Sequence, residues 1–372
     1  MKRILYIVTL AAITACSQPP VFDINDFGAI PDGVTDCTAA INAAIESCHG
    51  SGGGRVLIPS GEYLTSTIRL LPGVDLHLDE GAVILGSADP ETYSSYIPDH
   101  DMTRYDSGGN SANANNTTDK RWQRALILAV KADGASISGS GVIDGRHVVD
   151  TLGEEGMRGP HTVTIAETSG FTMSGITIKR AANYAVLGYA LEDSHFTGLH
   201  IMEGWDGIHI RGARRVSVES CRFETGDDSI AGGYWEDMSI RDCDINSSCN
   251  GLRLIMPACR LDVSRCRFHG PGVYPHRTSG EARRKNMLFA VSIEPGGWGA
   301  APGELKELYF HDLEIENVNI PFSTSVREGC VARDLTVSDV RATGVYGAMT
   351  PVYCWNDNGF ETVSISGFSI SR

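Results

Sequence analysis

The sequence predicts an all-β solenoid, a stack of short parallel strands wound into coils of 22 or 23 residues, and three observations carry that prediction. Asp206 in Gly204-Trp205-Asp206-Gly207-Ile208-His209-Ile210 precedes by 22 residues Asp228 of Thr225-Gly226-Asp227-Asp228-Ser229-Ile230, and Asn250 of Cys249-Asn250-Gly251-Leu252-Arg253-Leu254 stands 22 further on. A second register agrees. Val216-Ser217-Val218 with Cys221, Met238-Ser239-Ile240 with Cys243, and Leu261-Asp262-Val263 with Cys266 recur at 22 and 23 residues. Third, 42 glycines and many short Val/Ile/Leu alternations suit tight turns between brief strands, and the long 3.6-residue apolar period of a helical solenoid is missing. Fixed periods of this size mark units that bury their apolar faces only by stacking on their neighbours. Residues one period apart then lie about 4.8 Å apart. The carboxylates of Asp206, Asp227 and Asp228 are thereby expected to share one small patch.

Along the chain, Met1-Lys2-Arg3 and the apolar run from Ile4 to Ala15 have the charged start and hydrophobic middle of a secretion signal. The run is too short to span a bilayer as a helix. Its end, Ile13-Thr14-Ala15-Cys16, resembles a bacterial lipobox, so residues 1–15 read as a lipoprotein signal and Cys16 as the lipidated first residue of the mature chain. An ordinary signal peptide that happens to end at a cysteine is the alternative. Residues 16–21 form a tether and 22–372 one β domain, displayed on the cell envelope through the lipid. A helical pattern follows from about Cys37 to Cys48, with Thr35 or Asp36 as its cap and Gly50 and Gly52 to Gly54 as its stop. Such a helix covers the open end of a solenoid, where strand edges would otherwise be unpaired. Strands begin at Val56-Leu57-Ile58 and Gly61-Glu62-Tyr63 and continue through Val74 to Leu78 and Ala82 to Leu85. The pattern stops between residues 89 and 122, resumes at Ala125 to Val130, and runs regularly from Val163 to Cys266. A second interruption at residues 269–286 carries His276, Arg277, Arg283, Arg284 and Lys285. Strands then return at Leu308, Leu335 and Val363.

The formal charge of -15, with no basic stripe, argues against nucleic acid as a partner. Nine cysteines remain after Cys16, an odd number, so they cannot all pair with one another. Cys221, Cys243 and Cys266 share one repeat position and read as a stacked internal column of small apolar side chains. Cys37 and Cys48 stand too far apart on one helix to bond each other. A monomer without metal or cofactor is expected.

Asp26-Phe27-Gly28-Ala29 with Asp32-Gly33-Val34-Thr35-Asp36, Gly52-Gly53-Gly54-Arg55-Val56 and Pro59-Ser60-Gly61-Glu62-Tyr63 resemble the opening of pectin-degrading right-handed parallel β-helix proteins. Trp205-Asp206-Gly207-Ile208, Cys221-Arg222-Phe223 and Thr225-Gly226-Asp227-Asp228-Ser229-Ile230-Ala231 are similar to glycoside hydrolase family 28, the polygalacturonase family. The resemblance implies a right-handed parallel β-helix and a catalytic group of Asp206, Asp227 and Asp228. In it Asp227 acts as general acid, Asp206 and Asp228 hold the attacking water, and the substrate is a pectic or other uronate-containing polysaccharide cleaved with inversion. Glycoside cleavage needs one protonated carboxyl and one ionised one, and like charges packed so closely cannot all ionise cheaply. Two departures stand out. Cys249-Asn250-Gly251 occupies the place of the family's Gly-His-Gly, and the family's Arg-Ile-Lys is absent as such. His209 and Arg253 fall in one column, pointing outward beside inward Ile208, Ile210, Leu252 and Leu254, and are candidates to replace the missing groups. Asn250, Arg277 and Tyr184, the last one period before Asp206, complete the expected substrate-binding set. Against this stand a calcium site at the aspartates, a calcium-aided lyase working by β-elimination, and a β-helix that binds glycan without cutting it. For Arg253 a structural ion pair with the aspartates is the competing reading, and for His209 a surface position.

Overall fold

The computed structural model describes residues 19–106, 115–327, 329–356 and 359–372. Among these residues thirty strands, from Val21–Asp23 to Val363–Ile370, join in parallel pairs that stack each coil on the next. Val163 pairs with Val186, Val186 with Ile208, Ile208 with Ile230 and Ile230 with Leu252, which fixes the coil at 22 or 23 residues. The chain is a right-handed parallel β-helix, the hand that parallel crossovers almost always take. The leader and Cys16 lie outside the described residues.

Alternation explains the core. Ile178, Ile201, Phe223, Ile245, Phe268 and Ile315 pair in successive coils and form one buried interior column. Cys221, Cys243 and Cys266 form another; they are free thiols whose Sγ atoms donate to the carbonyls of Glu219, Arg241 and Ser264 at 3.3, 3.2 and 3.2 Å. A bend just after Val186–Glu192 and inside the strands Ile208–Glu219, Ile230–Arg241 and Ala258–Ser264 is built differently from the expected glycine turns. Asp193, Arg215, Asp237 and Arg260 follow one another up the stack with left-handed φ of 48°, 56°, 55° and 55°. Their alternating charges pair, Arg215 with Asp193 and Arg260 with Asp237, which offsets the steric cost of that backbone region.

The N-terminal end is covered by the helix Thr38–Gly50, which buries Ile41, Ala44, Ile45 and Cys48 against the first coils. It starts one residue later than the sequence suggests. Cys37 holds the N-cap position without a side-chain bond, and Asp36 Oδ1 instead accepts from the Thr38 amide at 2.9 Å. The helix also runs through Gly50, and the amides of Gly52 and Gly53 close it on the carbonyls of His49 and Cys48. Short strands at Asp32–Asp36 and Ile68–Leu70 belong to the stack although their sequence pattern is weak. Besides the two interruptions expected at 89–122 and 269–286, two further excursions leave the coils. One lies between Val142–Asp144 and His161–Ala166, the other between Met287–Ile293 and Gly303–Glu316.

Candidate active site

The strands Val186–Glu192, Ile208–Glu219, Ile230–Arg241, Asn250–Leu254 and Met287–Ile293 form one face of the helix. Just before these strands begin, Tyr184, Asp206, Asp228 and Asn250 occupy the same position in four successive coils, two residues ahead of paired Val186, Ile208, Ile230 and Leu252. The turn adds Asp227. Oxygens of Asp206, Asp227 and Asp228 lie within 4.8 Å of one another, and all three residues are buried. They line a cavity of about 250 Å³ with Tyr184, His209, Arg253 and His276.

The carboxylates are not equivalent. Burial raises Asp206 well above the ordinary carboxyl range, and the charges of Asp227 and Asp228 raise it further. Asp228 is raised by burial first, although Arg253 opposes this; its Oδ1 accepts from Asn250 at 2.7 Å and its Oδ2 pairs with Arg253 at 3.2 Å. Asp227 goes the other way. Burial also pushes it up, but a hydrogen bond from His276 and the charges of Arg158, His276 and Arg253 outweigh burial and hold it below the usual range. Arg158 Nη2 is 3.4 Å from its Oδ2, and His276 Nε2 is 3.5 Å from its Oδ1. These shifts run in opposite directions, favouring the proton on Asp206 over Asp227, while the resemblance implies Asp227 as the acid. The reason is the placement of Arg158 and His276 beside Asp227, which no repeat position encodes.

His209 is a buried part of the site, not a surface histidine. Its ring stacks on Tyr184 with centroids 4.5 Å apart and planes at 4°. Arg211 Nε donates to His209 Nε2 at 3.2 Å, so the ring proton sits on Nδ1 and is donated to Asp206 Oδ2 at 2.7 Å. Burial, then the charge of Arg211, keeps this imidazole neutral. Arg211 is itself anchored to the carbonyls of Tyr105 and Asn115 and to the Asn115 side chain, which ties the 89–122 excursion to the aspartates. Arg253 does make the structural ion pair weighed above, and it also pairs with Glu294 and lies 4.9 Å from the ring centroid of Trp298. Asn250 reaches the site through Asp228 rather than by lining the cavity. Arg277 lies outside that lining, 5.4 Å from the Trp205 ring, with a buried Nη1 that has no hydrogen-bond partner among the described residues.

Several site residues escape the repeat logic. Arg158, Glu154 and Glu155 come from the unforeseen excursion after Val142–Asp144, and Trp298 and Glu294 from the one after Met287–Ile293. Arg158 also lies 3.8 Å over the ring of Trp205. Arg211 was legible: strand alternation that points His209 outward points Arg211 the same way. Asn250 holds the place of the family's histidine, and a histidine from elsewhere, His276 of the second interruption, lies beside Asp227 and Cys249.

Residues 21–253 match the family described as Rhamnogalacturonase A/epimerase, pectate lyase-like, and the chain belongs to that family as a divergent, polygalacturonase-like member. Among its relatives, an exo-poly-alpha-D-galacturonosidase of Dickeya chrysanthemi is 26% identical over 60% of this chain, which spans 44% of that protein's length. In fold it resembles a hyperthermoactive exopolygalacturonase from Thermotoga maritima, with a TM-score of 0.64, 18% identity and 94% of each chain covered. It resembles equally a surface protein and adhesin of Streptococcus pneumoniae, at a TM-score of 0.63 and 13% identity over 95% of this chain and 98% of the other. The fold is therefore common to proteins that cut glycans and to one described as an adhesin.

Proposed function

We infer that the protein hydrolyses a uronate-containing pectic glycan from a chain end, using Asp206, Asp227 and Asp228. The observation that carries this reading is the convergence of three buried carboxylates with opposed protonation preferences in one walled cavity. A solvated turn would not separate them in this way. The lining includes residues from three of the excursions and from the His276 loop, and its volume of about 250 Å³ is small against the roughly 300–1,000 Å³ of common ligand pockets. A space of that size suits a terminal sugar better than a threaded chain.

In the reaction the cluster holds a proton that belongs to the group as a whole. A substrate carboxylate that draws Arg158 away from Asp227 raises Asp227, and the proton passes from Asp206 to the leaving oxygen by way of Asp227. Asp206 and Asp228, then ionised, orient the attacking water and accept its proton as its oxygen bonds the anomeric carbon, which restores the proton to the cluster. The oxygens are closer than the roughly 6.5–9.5 Å of two-carboxylate inverting sites, so the water sits beside the acid, held by two carboxylates. Arg277, through its unpartnered Nη1, and Arg253 are the proposed anchors for uronate groups, by the planar fork that matches a carboxylate. A calcium-aided lyase fits less well, because His209, Asn250 and Arg253 already donate to the aspartate oxygens that a hard cation would need.

The test is to follow viscosity and reducing ends together on polygalacturonate and related glycans, with the anomeric form of the first product read by proton NMR. Release of inverted monomer with little loss of viscosity supports the reading; a rapid fall in viscosity removes the chain-end part, and retained configuration removes the water placement. Attachment to the envelope through Cys16 is part of the proposal and rests on Ile13-Thr14-Ala15-Cys16. Labelled palmitate should enter the wild type and not Cys16→Ala; equal labelling of both would discard the anchor.

A further inference from the structure

Cys249 has no part in the hydrolysis described above, yet it lines the cavity one residue before Asn250, which holds the place of the histidine in the family's Gly-His-Gly. Its Sγ, a carboxylate oxygen of Asp227 and a ring nitrogen of His276 all lie within 4.8 Å of one another, and all three residues are buried. We propose that Asp227, Cys249 and His276 form a binding site for a borderline-soft divalent cation of the zinc type, with its fourth position open to the cavity. Such a cation would lock Asp227 and switch hydrolysis off.

The geometry is close to what the ion needs. Bonds of about 2.0–2.1 Å at tetrahedral angles place a nitrogen and an oxygen ligand about 3.3 Å apart, and His276 Nε2 is 3.5 Å from Asp227 Oδ1. Cys249 has to close by at most about 1.2 Å to meet a Zn–S bond of about 2.3 Å, since its ligand separation in a tetrahedron is about 3.6 Å. Three supporting contacts resemble the shell around a metal. Thr278 Oγ1 lies 2.6 Å from His276 Nδ1, which orients the ring and leaves Nε2 toward Asp227 and Cys249. Asn250 Nδ2 approaches Cys249 Sγ at 3.5 Å, and the Cys249 amide is held by Ser247 Oγ at 2.8 Å. Arg158 takes the opposite oxygen of Asp227, Oδ2, so the cation side of this carboxylate carries only the histidine.

The alternative trio of Asp206, Asp227 and Asp228 offers oxygens alone and would suit a hard cation, but His209, Asn250 and Arg253 donate into it. The mixed sulfur, nitrogen and oxygen set selects against calcium and magnesium. On binding, the S–H bond of Cys249 is exchanged for an S–metal bond and one proton leaves to solvent. The metal keeps its oxidation state, and affinity rises with pH.

The probe is cobalt(II), which takes zinc sites and reports a thiolate ligand by near-ultraviolet charge-transfer absorption. Chelator-treated protein, checked for its β-rich circular dichroism, is titrated with cobalt and then with zinc and calcium. The expected result is one charge-transfer site per chain, displaced by zinc and not by calcium, absent in Cys249→Ser and weakened tenfold or more in His276→Ala. Thr278→Val should weaken it about tenfold, as loss of outer-shell partners does. A folded wild type without the band overturns the site, as does a band that survives in Cys249→Ser, since Cys259, Cys330 and Cys354 are more accessible thiols. The readout does not depend on turnover, so failure of the hydrolytic reading and failure of the metal site are separate results.

Discussion

Asn replacement at Asp206 and at Asp227 is expected to change stability in opposite directions. Asp206→Asn removes a carboxyl that burial and two neighbouring aspartates make costly to ionise, and the amide keeps an oxygen for the His209 Nδ1 proton. Relief of such functional strain commonly yields about 0.5–2 kcal/mol. Asp227→Asn removes the ionised partner of buried Arg158. Breaking a buried pair costs roughly 3–5 kcal/mol, but Arg158 keeps Glu155 at 2.9 Å, which brings the expected loss to roughly 2–3 kcal/mol. With an unfolding entropy of about 2.1 cal/mol/K per residue over 372 residues, 1 kcal/mol corresponds to a Tm change of roughly 1.3 °C. Differential scanning calorimetry should therefore show Asp206→Asn melting about 1–3 °C above wild type near pH 7 and Asp227→Asn about 3–4 °C below. The pH dependence follows from the direction of each shift. Asp206 is raised in the fold, so wild type regains stability as pH falls through its folded pKa toward the unfolded value near 3.9. The Asp206→Asn advantage accordingly shrinks in acid. Asp227 is depressed, so its contribution is complete above the unfolded value and is lost only as pH falls through the lower folded one. Shifts of the same sign in both variants, or an Asp206→Asn advantage unchanged from pH 8 to pH 4.5, would refute the assigned protonation pattern.

Arg211→Met should lower kcat at least tenfold and change the acid limb of the pH profile, because His209 loses the donor that fixes its tautomer; Arg211→Lys should recover part of it, and an unchanged profile would reduce Arg211 to packing. Arg277→Met should raise KM on a uronate substrate about tenfold with kcat little changed, the mark of uniform binding, and equal effects on an uncharged analogue would remove the carboxylate contact. Gly232→Ala should destabilise by more than about 2 kcal/mol, since its Cβ would stand 1.8 Å from the Ile210 carbonyl oxygen at a φ of +129°. Gly134→Ala, with open space at φ +65°, serves as the milder control in the same melts.

What the sequence disclosed divides along physical lines. The period exposed the coil, the column of Tyr184, Asp206, Asp228 and Asn250, and the outward direction of His209 and Arg253, because stacking forces equivalent residues into register. The thiol column was readable for the same reason. Excursions obey no period, so Arg158, Glu154 and Trp298 could not be placed, and His276 was visible only as one of several basic-loop residues. The acid role of Asp227 came from the resemblance alone, and the repeat could not show that Arg158 and His276 stand beside it and lower its carboxyl. The charged left-handed corners at Asp193, Arg215, Asp237 and Arg260 were hidden too, since turns there were expected to rely on glycine.

The central claim is hydrolysis at the stacked aspartates, and product analysis on a panel of uronate-rich glycans with wild type, Asp206→Asn, Asp227→Asn and Asp228→Asn tests it most directly. The account predicts saturated uronate sugars from the wild type in the presence of chelator and a loss of at least a hundredfold in each variant. Products with an unsaturated, ultraviolet-absorbing uronate, or glycan that is bound by folded protein and left uncut across the panel, would contradict it.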